Sequence, residues 1–365
     1  IQDRSFNDDG SLFYPSKRAF FEGLDPSQLQ IPFAPKPACD GLYSDVAPIW
    51  QPEFFGNMMV VNGQTWPYLE VQQTRYRFRL LNGCNSRFLI LEMSDGSSFY
   101  QIGGDQGFLP APVEQTRLLM APAERADVIV DYSDNPVGTT ITLLNLGPDE
   151  PFGGGIPGVD FDPADPACTG QVMQFRVIES NGLGLGDLQG SLPAAPLPGI
   201  PTATRQISLN EEESRSVRVS EDADGNIVLD CATGEAFGPT AALLGTLAPN
   251  PADPYGGLGR LWAQPITEIP AVGSTEVWEI YNFTADAHPI HIHLIHFEVV
   301  GRQALAPSDS AGHAVPGVSV PSGTPRGPEP WEAGGYKDTV IAYPGEVTRI
   351  KAFYDLPGLY VWHCH

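Results

Sequence analysis

The placement of its histidines constrains this chain more than any other feature, because five of the seven lie in two short runs. Residues 288–293 read His-Pro-Ile-His-Ile-His, and residues 361–365 read Val-Trp-His-Cys-His. Successive side chains of a β-strand point to opposite faces. We therefore predict that His363 and His365 leave one face of a strand and that Cys364 leaves the other.

The earlier run follows the same rule. His291 and His293 share a face, and His288 stands directly before a proline, where a strand can begin. The two runs then supply two groups of ligands, one that includes a thiolate and one of imidazoles. Imidazoles with a single soft thiolate suit copper. Structural zinc sites usually add a second cysteine at short spacing, which Cys364 lacks, so copper is the predicted metal.

Turn-forming residues indicate that the whole chain is built from many short strands. It contains 39 glycines and 36 prolines, and 42% of its residues are hydrophobic. Residues 75–80 alternate arginine with apolar side chains, as in a half-buried antiparallel strand. Asn62-Gly63 predicts a type I′ hairpin. Further strands are predicted at Phe88–Met93, Arg117–Met120, Asp127–Tyr132, Thr140–Leu144, Val172–Val177, Ile207–Leu209, Ser216–Val219, Ile227–Leu229, Glu276–Asn282, His291–Val300, Thr339–Ala342, Val347–Phe353 and Gly358–Trp362.

This pattern predicts an all-β fold with two domains. We expect a first domain at residues 1–180, whose first 50 residues look irregular, and a second at residues 205–365. A Gly/Leu/Pro-rich stretch at residues 181–204 is the expected linker. Long loops are expected at residues 146–170 and 304–335.

Charge and hydropathy exclude several classes of partner. The chain has 44 acidic and 20 basic residues, a net charge of −24. The electrostatic field of such a negative charge repels polyanions, so nucleic acid is not an expected partner. The same field favours neutral or cationic small substrates. No apolar run reaches the roughly 18 residues that a membrane helix needs, so no membrane span is expected.

Four cysteines remain besides Cys364. They permit two disulfides and a secreted setting, although buried free thiols explain them equally well. Cys39 and Cys168 flank the strands of the first domain and are the expected pair; the others are Cys84 and Cys231.

At this point the chain resembles the multicopper oxidases, particularly the bacterial laccases of the spore-coat type and the related bilirubin oxidases. HPIHIH at 288–293 is similar to the family's HPxHxH, and the closing HCH is similar to the start of its HCHxxxHxxxxM. Weaker similarities in the family's order occur at residues 3–4, 9–15, 61–63, 66–71, 121–125 and 336–339.

The resemblance implies a fold and a ligand set. The fold would be tandem cupredoxin-like Greek-key β-sandwiches, two of them in this chain, with a third implied before it. By resemblance, His288 and Cys364 bind a type 1 copper. The remaining ligands complete a trinuclear cluster: His291 for the type 2 copper and His293, His363 and His365 for the type 3 pair. Of these residues, His288, Cys364, His363 and His365 would be catalytic, and no other cofactor is implied.

The chain also departs from the family pattern. The family draws two more His-X-His pairs from its first domain, and a further type 1 histidine and an axial methionine follow its HCH; none of these is present. We therefore expect a segment of a longer oxidase whose N-terminal cupredoxin domain is needed to complete the cluster. The alternative is a degenerate two-domain copper protein.

The function implied by the resemblance is a laccase-like oxidation. A small reducing substrate, a phenol or aromatic amine, gives up single electrons at the type 1 copper, and dioxygen is reduced to water at the trinuclear cluster. Electrons leaving the Cys364 sulfur reach the flanking histidines through covalent bonds over roughly 10 Å. Alternative substrates are bilirubin, which the acidic balance disfavours, and cuprous or manganous ions, which acidic loops at Asp149-Glu150, Asp162 and Asp165 would attract. A non-catalytic copper-binding or electron-transfer protein is the alternative from another class. The expected location is extracellular, periplasmic or at the cell surface.

Three other positions are interpreted as not functional. His296 is expected to pack or to lie on the surface, and His313, in the second long loop, is expected to be solvated. Asn282-Phe283-Thr284 fits a glycosylation sequon but precedes the HPIHIH run directly, so we interpret it as structural.

Overall fold

The computed structural model describes residues 1–47, 53–184, 186, 188, 190–238, 241–247, 257–308, 314–315 and 319–365. These residues form 27 strands, one four-residue α-helix and one 3₁₀ turn. The elements up to residue 178 are β1 (Gln2–Phe6), β2 (Leu12–Phe13), α1 (Arg18–Phe21), β3 (Leu29–Gln30), the 3₁₀ turn (Cys39–Gly41), β4 (Met58–Val61), β5 (Gln64–Thr65), β6 (Tyr68–Gln72), β7 (Arg75–Leu81), β8 (Leu89–Met93), β9 (Phe99–Gly104), β10 (Gly107–Gln115), β11 (Arg117–Met120), β12 (Arg125–Asp131), β13 (Thr140–Asn145) and β14 (Gln171–Ile178).

The later elements are also strands. They are β15 (Ala203–Glu212), β16 (Arg218–Glu221), β17 (Ile227–Leu229), β18 (Glu235–Ala236), β19 (Ala241–Leu247), β20 (Gly257–Gly259), β21 (Thr275–Asn282), β22 (His288–Ile292), β23 (Phe297–Ala306), β24 (Val320–Pro321), β25 (Thr339–Ala342), β26 (Glu346–Phe353) and β27 (Trp362–Cys364). The all-β prediction is confirmed. The only α-helix in the described part of the chain is far too short to cross a membrane.

The first β-sandwich consists of two sheets around one apolar core. One sheet has the strand order β10-β9-β12-β7 and the other β11-β8-β13-β14-β6. The core combines fully buried side chains from both sheets, for example Val128 and Val130 from one and Leu91 and Ile141 from the other. Strand β7 confirms the predicted alternation at residues 75–80, because its apolar side chains pack against this core.

The second β-sandwich pairs a large sheet with a small one. The large sheet has the order β20-β19-β15-β21-β26-β23-β24, and the small one has the order β25-β22-β27. Ile207 and Ile280 of the large sheet and Ile290 and Val340 of the small sheet are all 0% exposed and share one core. The small sheet carries both histidine runs, so the packing of this core sets the position of every predicted ligand.

The first residues of the chain are more regular than predicted. Strand β1 pairs with β2 and with β4, and Asp3 is fully buried, where its carboxylate accepts the backbone N–H groups of Gly56 and Asn85. The predicted hairpin at Asn62-Gly63 is confirmed: it joins β4 to β5, and both residues have positive φ, 51° and 83°.

The expected Cys39–Cys168 disulfide is wrong. Cys39 forms its disulfide with Cys231, and Cys168 and Cys84 are free. The reason is a long-range pairing that the sequence pattern does not reveal. Strand β3 adds in parallel to β17, in a four-stranded sheet of order β18-β16-β17-β3, which brings the segment around Cys39 against the second half of the chain.

Two predicted strands differ more than the others from the structure. The predicted strand at residues 291–300 is two strands, β22 and β23, because the chain turns between them at Leu294, whose φ is +71°. The predicted strand at residues 358–362 is wrong, since β27 begins at Trp362. The loop predicted from residue 304 starts later, because β23 continues to Ala306. The domain bounds 1–180 and 205–365 and the linker between them stay predictions.

Candidate metal centre

The small sheet of the second sandwich orients the predicted ligands. Strand β22 lies between β25 and β27 and is antiparallel to both. In this register His291 lies opposite His363, and Ile290 lies opposite Cys364. Paired residues of an antiparallel sheet share a face. The two imidazoles therefore leave one face, while Cys364 leaves the other face, toward the core that contains Ile290.

Four imidazoles gather on the first of these faces. The ring centroids of His291 and His293 are 4.9 Å apart, those of His293 and His363 are 5.1 Å apart, and those of His363 and His365 are 4.6 Å apart. The Nε2 atoms of His293 and His363 are separated by 3.0 Å. One ligand atom from each of His291, His293 and His363 lies within 4.8 Å of the others. The group can thus surround a metal ion.

The environment keeps two of these rings uncharged. Burial, together with the neighbouring imidazoles, lowers the pKa of His365 to about 4. Burial also lowers the pKa of His363. A metal ion binds the deprotonated ring nitrogen, so these rings are ready as ligands at neutral pH.

His291 differs from its neighbours because it has a fixed partner. Its Nδ1 lies 2.8 Å from the backbone oxygen of Asp338 and 3.4 Å from the carboxylate Oδ1 of the same residue. The hydrogen bond to the Asp338 carboxylate raises the pKa of His291. Since a carbonyl oxygen only accepts, Nδ1 carries the proton and Nε2 is left as the donor toward a metal.

The other face of β22 and β27 brings His288 and Cys364 together. The thiol Sγ lies 3.5 Å from Nδ1 of His288, and the residue forms no disulfide. Burial, followed by the charges of Asp286 and Glu53, raises the pKa of the Cys364 thiol to about 12. Burial lowers the pKa of His288, so its ring is neutral. Coordination by a metal deprotonates a buried thiol of this kind outright.

The hydroxyl of Thr284 determines which nitrogen of His288 faces the thiol. Its Oγ1 lies 2.7 Å from Nε2 of His288 and also contacts two acceptors, Oδ1 of Asn282 at 2.7 Å and the backbone oxygen of Asp286 at 3.1 Å. The single hydroxyl proton goes to one of these acceptors, so Oγ1 accepts from the ring. Nε2 therefore carries the proton, and the lone pair of Nδ1 points at Cys364. The donor set fits copper on this face.

No second thiol lies near Cys364 among the residues that the structure describes. Cys39 and Cys231 are joined, Cys84 is buried in the first sandwich, and Cys168 contacts Asp165 in a loop. A closed zinc site with two or more cysteines is therefore not available here. The donor set agrees with the metal that the sequence predicts.

Three carboxyl groups next to His288 were not singled out in the sequence. Ligand atoms of Glu211, Asp286 and His288 lie within 4.8 Å of one another. Burial, followed by Asp286 and Glu211, raises the pKa of Glu53 to about 7, and burial also raises the pKa of Glu211. All three carboxyl groups line a cavity of about 600 Å³ that His288 and Cys364 also line. Asp286 precedes His288 by two residues, but Glu53 and Glu211 come from distant segments, so no sequence signal links them.

Two carboxylates of the acidic loop predicted to attract cations have structural contacts. Asp149 forms an ion pair with Arg87 and accepts the Thr169 hydroxyl at 2.7 Å, and Asp165 accepts the backbone N–H of Ala167 at 2.8 Å.

The residues interpreted as not functional follow that interpretation where they are described. His296 is exposed and lies against Tyr336, with ring centroids 4.0 Å apart. Asn282 is fully buried and donates to the backbone oxygens of Asp286 and Ala342, so it is structural. His313 lies outside the described residues.

Known proteins with similar sequences agree on one family. Residues 248–365 match the multicopper oxidase family. The whole chain is 35% identical to the laccase of Bacillus subtilis (strain 168) over 366 residues and 35% identical to the laccase of Bacillus stratosphericus over 367 residues. It spans 58% and 59% of these relatives, less than two thirds of their length.

A solved structure shows the same fold. The McoA multicopper oxidase from the hyperthermophile Aquifex aeolicus superimposes on the whole chain with a TM-score of 0.57, at 24% sequence identity, and the match covers 60% of that protein.

Proposed function

Because this chain belongs to the multicopper oxidases, we propose that it works in a laccase-like enzyme that oxidises phenols or aromatic amines and reduces dioxygen to water. In this proposal His288 and Cys364 bind a type 1 copper. The observation that carries it is the division of ligands between the two faces of β27: Cys364 Sγ lies 3.5 Å from His288 Nδ1 on one face, and His363 and His365 join the other imidazoles on the opposite face.

The second part of the proposal concerns the imidazole face. His291 would hold a type 2 copper, and His293, His363 and His365 would contribute to a type 3 pair. The copper ions, when bound, supply one-electron redox chemistry. Two further His-X-His pairs are required to complete such a cluster, and we propose that an additional cupredoxin domain provides them.

The protein's own residues prepare both sites. Thr284 holds the ring of His288 so that its Nδ1 lone pair faces the thiol, and Asp338 holds the ring of His291. Cys364 is joined to His363 and His365 by the backbone, so the two faces are connected by covalent bonds. Glu53, Glu211 and Asp286 line the cavity through which a reductant would approach His288.

We propose two domains within the chain, residues 1–180 and 205–365, with the linker at 181–204. Both would lie in a protein that acts outside the cytoplasm, where disulfides such as Cys39–Cys231 persist.

One test of this function combines copper counting with oxygen uptake. The copper-loaded full-length enzyme, with the additional domain that completes its cluster, should show the intense blue absorption of a Cys-ligated type 1 site and consume oxygen when a phenol is added. Zinc-loaded protein is the control, because zinc cannot change its oxidation state, and it should do neither. Copper binding with no blue band and no oxygen uptake would instead support a non-catalytic copper-binding protein. A blue band that a reductant bleaches, without oxygen uptake, would support an electron-transfer protein.

The carboxyl groups beside His288 favour a second candidate substrate, a reducing metal cation such as a cuprous or manganous ion. A manganous ion prefers carboxylate ligands, whereas a cuprous ion prefers soft sulfur ligands, so the manganous ion fits these groups better. Ligand atoms of Glu211, Asp286 and His288 lie within 4.8 Å of one another. The same acidic cavity disfavours bilirubin, whose carboxylates it would repel.

Glu211→Gln distinguishes the cation substrate from the phenol. If a manganous ion is the substrate, this variant should lose about tenfold or more in activity toward the ion while it keeps its activity toward a neutral phenol. Glu212→Gln, which changes the next residue of β15, is the matched control. An equal loss toward both substrates would reject the cation-binding role of Glu211.

A further inference from the structure

The ring of His291 is connected to the first β-sandwich by a chain of hydrogen bonds. The carbonyl oxygen of Asp338 that accepts its Nδ1 proton also accepts the backbone N–H of Ile292, at 3.1 Å. The hydroxyl of Thr339 lies 3.3 Å from the same Nδ1 and donates to Oδ1 of Asp338 at 2.9 Å. The position of Asp338 therefore determines the position of the His291 ring.

The side chain of Asp338 is in turn held from the first sandwich. Arg125 forms a two-pronged ion pair with it, with Nη1 2.8 Å from Oδ1 and Nη2 2.5 Å from Oδ2. Gln106 donates from Nε2 to Oδ2 at 2.6 Å. The side chain of Asp338 is 7% exposed, so little water competes with these donors. Burial alone would raise the pKa of Asp338. Hydrogen bonds from His291, Arg125 and Gln106 nevertheless hold this pKa far below its usual value.

The backbone around Asp338 is held from the same side. Asp105, whose side chain is fully buried, accepts the backbone N–H groups of Asp338 and Thr339 at 3.3 Å each. Lys337, just before them, places its Nζ 3.1 Å from Asp105 and 2.9 Å from Glu124. The segment before β25 is thus fixed by buried charged groups that come from the turn between β9 and β10 and from the start of β12.

We propose that Arg125 is a positioning residue for His291: docking of the first sandwich on the second orients the metal-binding ring through Asp338. The inference rests on the proposed function, because it assumes that His291 binds copper. A planar guanidinium is suited to the task, since its two parallel hydrogen bonds set the orientation of the carboxylate as well as its position. Groups that orient a metal-binding histidine typically change metal affinity by about 10- to 100-fold when they are removed.

The first sandwich offers a matched control for Arg125. Arg77 forms the same kind of two-pronged ion pair with Asp127, which lies on β12 as Arg125 does. The two arginine side chains are 34% and 32% exposed, and their carboxylate partners are 17% and 7% exposed. The Arg77 pair, however, lies entirely within the first sandwich. Comparison of Arg77→Gln with Arg125→Gln therefore separates the loss of an ion pair from the loss of the contact that reaches His291.

The experiment compares the copper-loaded full-length enzyme, with the additional domain that completes its cluster, with its variants Arg125→Gln, Arg125→Lys and Arg77→Gln. The readouts are the rate of copper release to a chelator, the type 2 signal in electron paramagnetic resonance, and the blue absorption band. Arg125→Gln should weaken copper binding at the His291 site by about 10- to 100-fold and alter the type 2 signal, while the blue band stays unchanged. Arg125→Lys should fall between this variant and wild type, because lysine keeps the charge but loses the second hydrogen bond.

The proposal is overturned if Arg125→Gln keeps the copper content, release rate and type 2 signal of Arg77→Gln. It is also overturned if the blue band and the type 2 signal weaken together, since that pattern indicates general destabilisation. Gln106→Leu leaves both arginines in place and should produce a smaller change in the type 2 signal; it replaces Arg125→Gln if that variant does not fold. If the wild-type protein itself takes up no copper, the proposed function fails first, which is a different result from equal behaviour of the two arginine variants.

Discussion

The two β-sandwiches share a structural frame, but among the described residues only the second presents imidazoles. In each sandwich, a fully buried asparagine lies at or just after the end of a strand. Its side-chain amide donates a hydrogen bond to the backbone oxygen of the last residue of another strand. Asn82 donates to the carbonyl oxygen of Met120 at the end of β11, and Asn282 donates to that of Ala342 at the end of β25, both at 2.9 Å. The frame is an internal repeat that the sequence pattern does not reveal.

The repeat extends to the turns. Ala123 and Gly345 lie three positions after the ends of β11 and β25. The backbone N–H of Ala123 donates to the backbone oxygen of Asn82 at 2.9 Å, and that of Gly345 donates to the backbone oxygen of Asn282 at 3.2 Å. Both residues have a φ of +67°. Alanine is strained in this conformation and glycine is not, so the geometry of the turn outweighs the preference of the residue.

The difference lies in the strand that the frame supports. Strands β8 and β22 have the same burial profile along their five residues. The first position is Leu89 in β8 and His288 in β22, and the fourth is Glu92 in β8 and His291 in β22. Backbone pairing and one asparagine maintain each frame. The identity of a few side chains therefore decides whether the strand contributes to a core or to the proposed metal site.

The largest effect is expected from Cys364→Ser, which removes the thiolate from the second sandwich. The variant should lose the blue band completely and lose oxidase turnover, because serine does not supply the soft ligand of a type 1 site. Cys168→Ser, at a free cysteine in a loop of the first sandwich, is the control and should keep both properties. Absorption spectra and oxygen uptake provide the measurement, and a blue band in Cys364→Ser would rule out this residue as the ligand.

The two asparagines test whether the frame is equally important in both sandwiches. Asn82→Ala and Asn282→Ala each remove two donated hydrogen bonds and one accepted from the backbone N–H two positions later. Asn282→Ala also removes the contact with the Thr284 hydroxyl. Each should lower the free energy of unfolding by about 3 kcal/mol, measured with denaturant, because buried backbone groups are left without partners. Only Asn282→Ala should also change the blue band, through Thr284. An unchanged stability in either variant would show that the two frames are not equivalent.

Thr284 and Cys84 occupy matching positions, since the backbone N–H of each donates to Oδ1 of its asparagine. Thr284→Val should weaken copper binding at the Cys364 site by about tenfold, because Nε2 of His288 loses its acceptor and the ring orientation is no longer fixed. Cys84→Val should leave copper binding unchanged. Titration with a competing chelator measures both variants; an equal affinity in Thr284→Val and wild type would contradict the role of the hydroxyl.

The smallest effect concerns the acidic cavity of the second sandwich. The pKa of Glu53 is raised from 4.5 to about 7, first by burial and then by Asp286 and Glu211. A raised carboxyl pKa stabilises the folded protein below pH 4.5, and this contribution is lost as the pH rises through about 7. Glu53→Gln should remove about 1 kcal/mol of this pH dependence, less than the pKa change alone implies because the carboxyl is partly exposed. Denaturant unfolding of copper-free protein at several pH values measures it, and parallel curves for variant and wild type would contradict the assignment.

Local patterns predicted much of the fold. The alternation of residues 75–80, the Asn62-Gly63 hairpin and the strand at Thr339–Ala342 all depend on interactions within a few residues, and each is present in the structure. Predictions that depend on distant partners were less successful. Strand β1 was missed because its pairing with β4 is remote, and the Cys39 disulfide was assigned to the wrong partner because β3 crosses to the other half.

The sequence by itself predicted which histidines and which cysteine can bind a metal and on which face of a strand His291, His363 and Cys364 lie. Alternation along a strand is a local property of the backbone, so His363 and Cys364 diverge in any sheet that contains them. Only the tertiary structure decided what surrounds these ligands. The carboxyl groups at Glu53 and Glu211 and the contact from Arg125 reach the site through packing of segments that are far apart in the chain, and no local pattern encodes the approach of such segments.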